Sequence, residues 1–213
     1  MAVEGGTAGK RVTKRRATTR QRLLDAALAT FAEEGFGRST VEQVCERAGY
    51  TRGAFYSNFT SLDELFLAMW EQRSADLLAG VSAAFAAERA ARVTDVREIV
   101  EHVLKAVPVD DSWYRVTAEF TAHALRNPAL RRVMTAREDA IAAAITPILQ
   151  AQLSLIGRTV PDLVALGQAL IAVHDGTSVQ LLMEPDNPHV RERRVDLFMK
   201  VVLAYSTETK GSP

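Results

Sequence analysis

Apolar residues recur at helical spacing through nearly the whole chain, so it reads as a succession of helices. Leu23, Leu24, Ala27, Leu28 and Phe31 place a first helix over about 19–34. Gly35 and Gly37 end it, because glycine accepts the left-handed conformation at a helix C-terminus. Thr40 and Gln43 make a capping box, and Val41, Val44, Cys45 and Ala48 then fall on one face of a short second helix. Gly49 marks a turn, after which Thr51 caps a third helix reaching about residue 58. Ser61 with Glu64 makes a second capping box and opens a long helix toward Arg89, with Gly80 as its weak point.

The later stops are equally explicit. A helix over about 95–107 ends at Pro108, and Ser112 to Arg126 forms the next. Asn127-Pro128 caps and opens a helix to about Ile156, in which Pro147 predicts a kink or a division. Pro161 opens a helix to Met183, and Asn187-Pro188 starts the last, ending near Ser206. The expected fold is therefore all-α, with about nine helices and no strand. Residues 1–16 lack periodicity and read as a disordered basic arm. A first domain is expected over 17–77 and a helical second domain over 78–213, joined through a continuous helix.

Charge changes this picture at one end only. The formal net charge is zero, yet Lys10 to Arg22 hold seven basic residues and no acidic one. Residues 1–60 carry ten basic and six acidic groups, or +4, leaving −4 for the rest. A basic end on a mildly acidic body suits a polyanion partner at that end, although a solvated tail has the same composition. The single cysteine, Cys45, excludes an internal disulfide framework, fits a reducing cytoplasm and reads as a packing residue. The long uncharged stretch over 141–157 contains Thr146, Pro147, Gln150, Gln152 and Ser154 and is too polar to span a bilayer. No apolar signal core follows the N-terminal charges, so a soluble cytoplasmic protein is expected.

Two helices around a glycine turn form a helix-turn-helix, whose second helix enters the DNA major groove N-terminal end first. Thr51, Arg52 and Gly53 hold that end. Arg52 can donate two hydrogen bonds to a guanine edge or bind a phosphate. Gly53 lets backbone approach the DNA, and Tyr56, one turn on, can reach a phosphate. Thr40 stands at the positive end of the preceding helix, where an anion is favoured. Phe55 and Phe59, four apart, are expected in the core.

The stretch 17–77 resembles the N-terminal domain of the TetR (tetracycline-repressor-like) transcriptional regulators. The resemblance lies in Gly35-Phe36, Thr40-Val41, Ala48-Gly49, Gly53-Ala54-Phe55-Tyr56-Ser57-Asn58-Phe59 and Asp63-Glu64-Leu65-Phe66. It implies DNA contacts at Thr40, Thr51, Arg52, Gly53, Tyr56 and Asn58. Two positions depart from the family's habit: Leu62 stands where a phosphate-binding lysine is common, and Asn58 where histidine is frequent. The resemblance further implies a homodimer through the last two helices, a palindromic double-stranded DNA operator and a small-molecule effector. A repressor released by that effector is the function it implies, with an activator or ligand-independent regulator as the alternative.

Polar groups within otherwise apolar helices are candidates for lining an effector pocket. Glu119 and His123 share a helix face, Trp113 and Phe120 supply nearby aromatic walls, and His174 with Asp175 interrupt an apolar stretch. For each, an ordinary core or surface residue with satisfied hydrogen bonds is the commoner reading. His102, Glu119, His123, His174 and Asp175 offer a remote metalloenzyme reading, but no two histidines have ligand spacing. No metal, cofactor or catalytic residue is therefore expected.

Overall fold

A computed structural model of the chain describes residues 6–87 and 94–209, with side chains over 14–84 and 94–209. Among the described residues, nine α-helices follow one another. They are α1 (Gly6–Glu34), α2 (Val41–Ala48), α3 (Arg52–Tyr56), α4 (Leu62–Ala87), α5 (Val96–Ala106), α6 (Asp111–Ala124), α7 (Pro128–Leu155), α8 (Leu163–Met183) and α9 (Pro188–Tyr205). No described helix is long and apolar enough to cross a membrane.

Local chemistry sets the helix ends. Thr40 caps α2 by accepting from the Gln43 amide at 3.2 Å, while the Gln43 side chain accepts from the Thr40 amide at 2.8 Å. Asp95, Asn127, Asp162 and Asn187 cap α5, α7, α8 and α9, each side chain accepting from a first-turn amide. The start of α4 differs from expectation. Ser61 accepts from the Glu64 amide at 3.1 Å, but the Glu64 carboxylate turns to the amide and hydroxyl of Thr60, both at 2.6 Å. Those bonds from Thr60 hold the Glu64 carboxyl below its ordinary range.

Of the arm expected to be disordered over 1–16, residues 6–16 continue α1, and residues 1–5 lie outside the described residues. Apolar periodicity reports burial, and Lys14, Arg15, Arg16, Ala17 and Thr18 are all exposed, so a solvated extension of α1 leaves no periodic trace. Neither Gly80 nor Pro147 divides its helix. At Pro147 the missing amide frees the carbonyl of Ala143, and both residues lie on an exposed face that water can reach. The Thr146 hydroxyl beside it donates to the Ala142 carbonyl at 2.9 Å. The end of α4 expected near Arg89 lies outside the described residues.

A two-residue antiparallel ladder also appears where no strand was expected, pairing β1 (Arg158–Thr159) with β2 (Thr207–Glu208). Two residues are too few to show alternation. What holds them is Arg158, whose guanidinium donates to the hydroxyl and carbonyl of Ser206, both at 2.9 Å.

The chain divides into two compact units. The first comprises residues 1–73 together with 115–123, and the second residues 74–114 and 124–213. The core of the first is formed by Leu23, Leu24, Ala27 and Phe31 of α1, Val44 and Cys45 of α2, Phe55 and Phe59 around α3, Leu65 and Phe66 of α4, and Phe120 of α6. The second is built on Ile99, Val100, Leu149, Leu153, Leu166, Phe198 and Val202. On its surface Arg97 of α5 pairs with Glu192 and Asp196 of α9 at 2.9 and 2.7 Å.

Candidate nucleic-acid interface

The α2–turn–α3 segment is positioned by glycine backbone and by buried aromatics. Gly49 takes φ +71°, a conformation strained for any residue with a Cβ, and lets the Tyr50 amide close on the Cys45 carbonyl at 2.9 Å. Thr51 then caps α3 by accepting from the Ala54 amide. Phe55 and Phe59 are buried as expected, their centroids 5.9 Å apart, and the Arg20 guanidinium of α1 lies over the Phe59 ring at 5.2 Å. Arg16 of α1 donates to the Ser57 carbonyl at 3.2 Å. Between α1 and the turn lies an open cleft of about 740 Å³, lined in part by Arg15, Arg16, Thr19, Tyr50 and Thr51.

This anchoring leaves Thr40, Thr51, Arg52, Gly53 and Tyr56 exposed. Arg52 is not loose: its Nη1 lies 2.9 Å from Oε1 of Glu42 on α2, and its guanidinium sits 5.9 Å from the centre of the Tyr56 ring. Tyr56, followed by Glu42, holds the guanidinium above its already high range. Sequence reading overlooked Glu42. The two residues lie ten positions apart on separate helices, so no local spacing joins them.

Asn58 departs from the expected outward role. It is partly buried, and its Nδ2 donates to the Ala54 carbonyl at 2.8 Å and reaches the Ser57 hydroxyl at 3.3 Å. Its Oδ1 is buried without a partner. Its amide is spent on closing α3. Cys45 is buried, and burial pushes its thiol pKa up, so the reactive thiolate is disfavoured.

The six residues expected around an effector are distributed over both compact units. Glu119, Phe120 and His123 belong to the first unit, whereas Trp113, His174 and Asp175 belong to the second. Phe120 is fully buried, stacked on Phe66 at 3.7 Å and edge-on to Phe36 at 4.9 Å. The Glu119 carboxylate closes over Gly35, where an added Cβ would come within 2.9 Å of its oxygen. His123 Nε2 is 3.3 Å from Asp63, within ion-pair range but not aligned as a hydrogen bond. Trp113 follows the cap of α6, its amide donating to Asp110 at 2.8 Å.

His174 belongs to a buried polar cluster of the second unit. Arg194, 5% exposed, donates through Nη1 to the hydroxyls of Thr177 at 2.7 Å and Ser178 at 3.2 Å, and through Nη2 to His174 Nδ1 at 3.0 Å. A guanidinium only donates, so Nδ1 accepts and the neutral ring carries its proton on Nε2. Burial first, and Arg194 second, lower the His174 pKa to about 4, and burial lowers that of Arg194 to about 10. Asp175 is surface-exposed yet partly desolvated, which raises its carboxyl above the ordinary range. Among the described residues, no three His, Cys, Asp or Glu side chains converge as a metal site would require.

Residues 23–69 match the family model of bacterial regulatory proteins of the TetR family. Residues 92–204 match that of the C-terminal part of BetI-type transcriptional repressors. The HTH-type transcriptional regulator AcrR of Shigella flexneri is 32% identical over 105 residues, 47% of either chain. The chain thus spans about half the length of this curated relative. Among solved structures, a TetR-family transcriptional regulator from Mesorhizobium loti superposes with a TM-score of 0.68 at 18% identity, covering 90% of this chain and 96% of the other. The multidrug binding protein EbrR in complex with proflavin does so with a TM-score of 0.55 at 25% identity, covering 86% and 99%.

Proposed function

The chain belongs to the TetR family of bacterial regulatory proteins, and from that premise we propose that it is a dimeric transcriptional repressor which a small-molecule effector releases from a palindromic operator. The observation that carries the reading is an exposed row over a buried aromatic core: Thr40 at the N-terminal end of α2, Thr51, Arg52 and Gly53 at that of α3, and Tyr56 at the last residue of α3. The two N-terminal ends present orphan amides and positive helix poles, which favour a phosphate backbone. Arg52 and Gly53 lead α3 into the major groove, Arg52 to a base edge and Gly53 by close backbone approach.

A single reader makes few base contacts, and two copies read a palindrome. Val164 and Met183 of α8 are 69% and 77% exposed, and Leu203 and Tyr205 of α9 are 41% and 38% exposed. Apolar surface on both of these helices supports a homodimer through α8 and α9. The repressor sense is supported by the match to a BetI-type repressor, and the effector by EbrR, a multidrug binding protein solved with proflavin. An effector acts only through a difference in affinity between two states of the dimer. Such a protein works in the cytoplasm on DNA and needs no catalytic group.

Electrophoretic shifts with DNA upstream of the gene test the reading, and transcripts from repressed genes rise on deletion. A protein that shifts no palindromic duplex at any salt concentration overturns it.

Gly53→Ala separates fold from contact. A Cβ at this position meets only Thr51 Oγ1, at an ordinary 3.7 Å. Alanine also favours helix over glycine by about 0.5–1 kcal/mol, so the melting temperature should hold or rise. Operator affinity should nevertheless fall at least several-fold. Unchanged affinity would mean that the α3 backbone does not approach the DNA closely.

A further inference from the structure

We propose that Glu42 is a positioning and specificity-determining residue: its carboxylate aims Arg52 at a guanine and holds it off the phosphate backbone. The proposal rests on the reading of α3 as the DNA-contacting helix.

An acidic residue in the first turn of α2, two positions after the Thr40 cap, sits on a surface expected to meet a polyanion. There it repels phosphate, a sequence-independent effect that by itself weakens binding. A modest favourable interaction with the positive end of α2 would account for the residue type alone. It does not account for the geometry. The Glu42 carboxylate reaches across to α3 and meets Arg52 Nη1 at 2.9 Å, while the Tyr56 ring flanks the same guanidinium at 5.9 Å.

Glu42 and Arg52 are more than half exposed, at 56% and 62%, so their pairing contributes little to folding stability. Its consequence is directional. Arginine is a long side chain with many rotamers and a planar fork of five N–H donors. One carboxylate and one ring face restrict those rotamers and leave the other N–H groups available. Guanine presents O6 and N7 as a matched pair of acceptors in the major groove, and a guanidinium edge fits both. A free arginine would instead turn to the nearest phosphate of any sequence. Partial neutralisation by Glu42 lowers that attraction more than it lowers the fit to a base edge. Glu42 thus lowers affinity for DNA in general and raises discrimination at one base pair.

The test begins with duplexes selected from a randomised library by the wild-type protein. The best duplex, its single-base variants and a random duplex are then titrated with wild type, Glu42→Ala, Glu42→Gln, Arg52→Ala and the Glu42→Ala/Arg52→Ala double variant. Glu42→Ala should weaken the selected duplex about tenfold, within the range of one bidentate base contact. It should tighten the random duplex several-fold. The lost preference should fall at the same base pair that Arg52→Ala relaxes, and Glu42→Ala should add nothing to it in the Arg52→Ala background. Glu42→Gln, whose amide oxygen still accepts from Arg52, should keep most of the preference. Glu42→Ala that tightens selected and random duplexes equally, or leaves discrimination at the wild-type level, overturns the role of Glu42 alone. A wild-type protein that selects no duplex overturns the DNA-binding reading together with it.

Discussion

Phe120→Ala is expected to lower the unfolding free energy of the first compact unit by about 3–5 kcal/mol, the usual cost of truncating a buried aromatic. The ring is fully buried, stacked on Phe66 with an interplanar angle of 16° and edge-on to Phe36. Such pairs add about 0.5–1.5 kcal/mol beyond area burial. Collapse around the deletion would be poor because the neighbours are themselves held. Phe36 packs edge-on to Phe31 at 5.0 Å, and the backbone before it is committed to the left-handed turn at Gly35, φ +86°. Phe66 is held edge-on by Trp70 at 5.8 Å. Denaturant unfolding followed by Trp70 fluorescence, with Trp113 replaced by Phe, reports on this unit. A loss below about 1 kcal/mol would show that the site closes over the deletion, against its packing.

That result would also separate two roles for α6. A pocket wall, when truncated, changes the response to a ligand and leaves stability nearly untouched. A core ring does the reverse. Arg115 reinforces the second role by donating to the Ala32 carbonyl of α1 at 3.2 Å, so residues 115–123 are bound to the first unit by polar as well as aromatic contacts.

What could be read from sequence was whatever is local. Thr40 with Gln43, Asn127 with Pro128 and Asn187 with Pro188 act within three residues, and each cap stands where its spacing put it. The buried faces of α1 and α2 follow from helical periodicity for the same reason. Contacts closed by tertiary packing leave no such signal. Phe120 meets Phe36 from 84 positions away. Nothing in the spacing of Glu119, Phe120 and His123 tells a pocket face from a core face, since both require apolar and polar groups one turn apart. Arg194 has the composition of a solvated charge and becomes buried only because α8 offers two hydroxyls and an imidazole to it. At the candidate interface, Thr51, Arg52 and Gly53 were legible from the motif, whereas Glu42 became visible only when α2 and α3 were placed side by side.

The buried cluster of the second unit sets the other large effect, a loss of stability in mild acid. Folded His174 titrates near 4 rather than 6.5, so between these values the unfolded chain binds a proton that the folded chain refuses. The sign follows: stability is complete above pH 6.5 and falls as the pH drops toward 4. The gap is equivalent to roughly 3 kcal/mol over the window. Protonation would present the ring's N–H to Arg194 Nη2 in place of a lone pair, turning a hydrogen bond into a repulsion between two cations. Two carboxyls act in the opposite sense. Burial raises Glu138 and Asp175, so the folded state takes up their protons first and gains stability as the pH falls through the carboxylate range. Their contribution flattens the lower part of the acid limb without removing it, because the His174 loss begins at higher pH. Unfolding free energies measured from pH 7 to pH 4 on wild type and His174→Gln separate the two. The variant should lose the decline between 6.5 and about 5 and expose the rising carboxylate limb beneath it. A variant whose profile tracks the wild type through that window would mean that His174 is not held neutral by Arg194 and its burial.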